Sequence, residues 1–62
     1  MNYPEIIKKI RKKLLVTQTE LAELLDCSFS SVNRWEKGHH EPTMKAKRKI
    51  NQLCKENNIE VE

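Results

Sequence analysis

Apolar residues return at intervals of three and four along this chain, in four stretches separated by short polar breaks. In the first, Ile6, Ile7, Ile10 and Leu14 share one side of a helix. Pro4 suits its opening turn, lysines occupy its other side, and it is predicted to end near Leu15 or Val16. In the second, Thr17 is followed three residues on by Glu20, a capping box in which the hydroxyl takes the Glu20 amide while the carboxylate reaches back to the Thr17 amide. Leu21, Ala22 and Leu25 then form one narrow face, with Ala22 small enough to let another helix approach closely. This helix is expected to stop near Asp26, which takes the left-handed turn that glycine usually supplies, at a cost of about 1 kcal/mol. Ser28 caps a third helix that runs to Lys37 and closes at the chain's one glycine, Gly38. After a loop over residues 39–42, Thr43 caps the last helix. Its apolar side is assigned Met44, Ala46, Ile50, Leu53 and Cys54, and it stops after about Glu56 at Asn57 and Asn58. Ile6, Ile10 and Leu14 are expected to meet Leu21, Leu25 and Trp35. Residues 59–62 alternate apolar and acidic, which suits a short strand or a frayed end equally.

Composition narrows this picture to an all-α fold with one small core. A chain of 62 residues buries only about 60% of the surface it exposes when unfolded, so residues 1–62 are expected to form one domain. The net charge of +3 is too modest to identify a polyanionic partner, but its placement says more. Ten of the twelve basic residues flank the central helices: Lys8, Lys9, Arg11, Lys12 and Lys13 before them, and Lys45, Lys47, Arg48, Lys49 and Lys55 after. No apolar run reaches the roughly 18 residues of a membrane span and the N-terminus has no signal-peptide core, which predicts a cytoplasmic protein with no membrane partner. Cys27 and Cys54 are therefore expected to be reduced and packed inside. His39 and His40 are adjacent, but zinc needs about four ligands and nothing at suitable spacing completes a set. No metal and no cofactor is predicted.

The third helix carries the chemistry. At about 100° per residue, with Phe29 at zero, Val32 falls near 300° and Trp35 near 240°, so the buried direction is roughly 270°. The opposite direction holds Ser30, Asn33, Arg34 and Lys37, with Phe29 at its edge. An amide, a guanidinium, a hydroxyl and one aromatic, with no acid at the centre, suit base edges: Asn pairs bidentately with adenine, Arg with guanine, and apolar groups meet the thymine methyl. Helix, turn and helix over residues 18–38 make a helix-turn-helix.

In order and spacing, Gln18, Leu21, Ala22, Leu25, Val32, Trp35 and the run Glu36-Lys37-Gly38 make the chain resemble the Cro/repressor (Xre-type) helix-turn-helix proteins from about Ile6 to Leu53. It departs at Asp26, where the family usually has glycine, and at Phe29, where a polar residue is common. The resemblance implies a small four-helix, lambda-repressor-like domain whose helix from Ser28 to Lys37 enters the major groove of double-stranded DNA. It also implies that Phe29, Ser30, Asn33 and Arg34 face base edges, while Gln18, Thr19, Ser31 and Lys37 lie against phosphate. Helix N-termini favour anions, which agrees with the phosphate roles. In the family the acid equivalent to Glu36 often pairs with an arginine of the first helix, here Arg11; a solvated Glu36 is the alternative. Family members often carry a fifth helix or a sensor domain, for which 62 residues leave no room.

The predicted function is sequence-specific DNA binding by a transcriptional regulator of the repressor kind. A homodimer would read two half-sites about 34 Å apart. The competing prediction is an antitoxin-like or adaptor module whose protein partner would dock on Phe29 and Leu24. An enzyme is not predicted, because no paired carboxylates, nucleophile set or Gly-rich phosphate loop is present.

Overall fold

A computed structural model describes residues 2–60. It contains four helices, α1 (Tyr3–Leu14), α2 (Gln18–Leu24), α3 (Phe29–Lys37) and α4 (Met44–Glu56), and no strand among the described residues. No helix among those residues is long and apolar enough to cross a membrane.

Each helix begins on a side-chain cap. Asn2 Oδ1 accepts from the Glu5 amide at 3.3 Å, Ser28 Oγ from the Ser31 amide at 3.2 Å and Thr43 Oγ1 from the Ala46 amide at 3.3 Å. The predicted capping box closes in both directions, the Glu20 amide reaching Thr17 Oγ1 at 3.1 Å and the Thr17 amide reaching Glu20 Oε1 at 2.8 Å. The helix ends share one device as well. Leu15, Asp26, Gly38 and Asn58 all take the left-handed conformation, with φ of 58°, 58°, 79° and 54°. The amide of the following residue then bonds back over the last turn: Val16 to the Arg11 carbonyl, Cys27 to Ala22, His39 to Arg34 and Ile59 to Cys54. Carbonyls that a helix end leaves open are satisfied this way, and the chain reverses within a few residues. Three of the four positions lack the glycine that makes such a turn free of strain.

The predicted apolar faces converge on one core, in which Ile7, Ile10, Leu21, Leu25, Val32 and Ile50 are fully enclosed. α1 and α2 both lie against α3, and α4 closes the core from the side of α1. Leu14, Val16, Cys27, Leu53 and Ile59 are half-buried at its margin. Both cysteines are free thiols, Cys54 buried and Cys27 half-buried, and loss of solvation pushes each thiol above its ordinary pKa.

Three expectations are corrected. Met44, assigned to the apolar side of α4, is 65% exposed. It precedes the buried Ala46 by two residues, about 200° around the helix, so it points into solvent. The first helix ends at Leu14, and Leu15 is already the left-handed turn residue. Ile59 forms no strand; it packs back on the core after the Asn58 turn. The remainder of the predicted alternation, residues 61–62, lies outside the described residues.

Candidate nucleic-acid interface

The angular reading of α3 separates its residues as predicted. Val32 and Trp35 are buried, Ser30, Arg34 and Lys37 are exposed, and Phe29 stands half in solvent at 49%. Asn33 and Ser31 are half-buried. The Ser31 hydroxyl lies 3.0 Å from Ser28 Oγ, so it belongs to the capping turn as well as to the rim of the exposed face. Among the described residues, the side chains of Ser30, Asn33, Arg34 and Lys37 take part in no hydrogen bond or ion pair. Their donors and acceptors are thus free to meet a ligand.

What aims this face lies beneath it. Glu36, on the inner side of α3, is buried at 7% exposure and holds two other helices. Arg11 of α1 forks onto it through Nε and Nη2, the latter at 2.9 Å, while Gln18 Nε2 at the start of α2 reaches Oε1 at 3.0 Å. A planar guanidinium matches a carboxylate through two parallel bonds, which fixes orientation as well as distance. Burial pushes the Glu36 carboxyl up, but the hydrogen bonds from Arg11 and Gln18 and the charges of Arg11 and Lys8 outweigh it. The group ends below its ordinary pKa and stays ionised. The Arg11 guanidinium is held above its own by the same contact, against a smaller opposing effect of burial.

The turn between α2 and α3 is set by Asp26 in the left-handed conformation, with the Cys27 amide bonded to the Ala22 carbonyl at 2.9 Å. The Asp26 carboxylate lies 3.6 Å from Lys45 Nζ and 3.8 Å from Lys49 Nζ of α4. Exposed pairs of this kind contribute about 0–1 kcal/mol, so they trim the local charge more than they stiffen the turn.

Of the residues assigned to phosphate, Thr19 and Lys37 are exposed, Ser31 is half-buried, and Gln18 is half-buried with its amide nitrogen bonded to Glu36. The Gln18 bond was invisible in the sequence, since no local spacing links residues 18 and 36. Phe29 is joined by Leu24 at 49% exposure as a second apolar group near the turn. Leu15, which the sequence pattern had left at a helix end, is 88% exposed.

The chain has known relatives in sequence. Residues 7–56 match a family model described as helix-turn-helix. Over 39 residues, 63% of this chain, it is 44% identical to antitoxin MqsA of Escherichia coli (strain K12), and the match spans 30% of that protein's length. No solved structure matches the chain.

Proposed function

The chain belongs to the Cro/repressor (Xre-type) helix-turn-helix family, and on that premise we propose that it is a sequence-specific regulator that reads duplex DNA with α3. The family is one of DNA-binding regulators and not of enzymes. The single observation that carries the proposal is the exposed side of α3, where Ser30, Asn33 and Arg34 present hydroxyl, amide and guanidinium with no partner among the described residues. Phe29 adds an apolar edge suited to a thymine methyl, and Thr19, Gln18, Ser31 and Lys37 flank the face where phosphates would pass. Phosphate contacts of this kind set register and supply most of the affinity, while the base edges supply choice.

A second reading has its own support. The similar Escherichia coli protein is named an antitoxin, which favours a role for this fold beside a protein partner, with Phe29 and Leu24 as apolar anchors. Selection of bound duplexes from a random pool, followed by titration of the winner between about 50 and 200 mM salt, separates the two. Regulation by α3 predicts a defined consensus and an affinity that falls tenfold or more across that range. Enrichment of no sequence, with an affinity indifferent to salt, would leave the protein-binding reading standing alone.

A further inference from the structure

Among the described residues, Leu15 is the one large apolar side chain for which neither the local backbone nor the core gives a reason. Its φ of 58° and ψ of 48° place a γ-branched residue in the left-handed region, where a Cβ crowds the following carbonyl. At 88% exposure it receives almost no burial in return. A glycine or asparagine would close α1 with less strain. An outlier of this kind points to a duty outside the fold.

Its surroundings say what kind. Lys8 and Lys12 lie two residues after the buried Ile6 and Ile10, about 200° around α1, and so project from the side opposite the core. With Leu15 and Val16 they line one shallow, open concavity, and Lys9 and Lys12 continue into a second one beside Ile59. Among the described residues none of Lys8, Lys9, Lys12 and Lys13 has an ion-pair partner; Glu5 is the one acid on the rim. Because the inner face of α3 rests on α1, Lys8 and Lys12, opposite the core side of α1, stand on a different side of the domain from the exposed face of α3.

We propose that the outer side of α1, with Leu15 between Lys8, Lys12 and the start of α2, is a second docking surface that takes an acidic peptide segment carrying an aliphatic anchor. The charge of the surface calls for a polyanion, and the bare leucine selects among polyanions. A phosphate backbone offers nothing to an isobutyl group, whereas glutamate interspersed with leucine satisfies both. The inference does not depend on what α3 reads.

The test uses the full chain, uniformly 15N-labelled, and two fluorescein-tagged probe peptides of equal length, one alternating glutamate with leucine and one of glutamate with serine. The expected result is amide shift changes at Lys8, Lys12, Leu15 and Val16 with the leucine peptide, and binding of the serine peptide roughly tenfold weaker or more. Leu15→Asn should weaken the leucine peptide by a similar factor while its melting temperature holds or rises, which separates lost docking from lost folding. Lys8→Glu combined with Lys12→Glu should abolish both. Equal binding of the two peptides, shifts centred on Phe29 and Leu24, an unaffected Leu15→Asn variant, or contact of a bound duplex with Leu15 in place of the peptide would each overturn the proposal.

Discussion

The two sides of α3 treat polar groups in opposite ways. On the inner side a single carboxylate, Glu36, is buried and fully engaged by Arg11 and Gln18. On the outer side Ser30, Asn33, Arg34 and Lys37 are left without partners among the described residues. A polar group taken out of water must be bonded or it costs several kcal/mol, so the inner arrangement answers a demand of folding. The outer one answers no such demand. Within one helix of nine residues, the side that holds the fold and the side proposed to meet DNA are told apart by whether their hydrogen-bonding capacity is already spent.

That contrast can be broken most severely from the inside. Trp35→Ala removes the largest buried side chain of α3 and is expected to cost about 3–5 kcal/mol, as much as a domain this small holds in total. Far-UV circular dichroism should then show a largely unfolded chain at room temperature, and a folded variant with an ordinary melting curve would mean that α3 is not anchored as described.

Next in size is Arg11→Ala, which strands the Glu36 charge and is expected to cost about 3 kcal/mol in chemical denaturation. The same pair predicts an acid response. Glu36 has a lowered pKa in the folded protein, so its contribution is complete above the ordinary glutamate value of about 4.3 and is lost as pH falls through the folded value. Wild-type stability should decline on acidification in that range, and Arg11→Ala should lose this part of the decline. Parallel pH profiles for the two proteins would count against the pair.

From the outside the effects are expected on binding alone. Asn33→Ala or Arg34→Ala should leave stability within about 0.5 kcal/mol and weaken the preferred duplex by about 1–3 kcal/mol, with unrelated duplexes little changed. Lys37→Ala should weaken all duplexes alike. A loss shared equally by every sequence in the first two variants would remove their base-reading role. Smallest is Leu15→Gly, which relieves a left-handed leucine and should raise stability by about 1 kcal/mol, read as a higher melting temperature. No gain would show that the turn carries no strain.

The features legible in the sequence are those whose physics is local. The Thr17 and Glu20 box, the Ser28 and Thr43 caps and the Gly38 stop each depend on residues within one turn, and each stands where the spacing put it. Asp26 could be read because one turn between two helices leaves little choice of backbone. Angles around α3 worked because Val32 and Trp35 define a direction; Met44 was misplaced because it was grouped by polarity and not by angle. Glu36 sat at an ambiguous angle, and what decided its fate was a guanidinium 25 positions away. Gln18 is bonded across 18 positions and gave no sign of it. Leu15 was hidden for another reason, since helical periodicity has nothing to say about the residue just past the last turn.

The link from Glu36 to Arg11 has a practical corollary. A peptide cut to residues 18–38 would keep both helices of the motif, yet it would lose the Thr17 cap of α2 and the Arg11 guanidinium, leaving Glu36 with Gln18 alone of its two partners. Such a fragment has only the Gln18 bond and the packing of α2 on α3 to hold the angle between its helices, and lengthening it toward the C-terminus does not restore the guanidinium. The smallest excisable piece that keeps the Arg11 brace must start upstream of residue 11, so anyone grafting the proposed recognition surface onto another scaffold has to transplant its brace along with it.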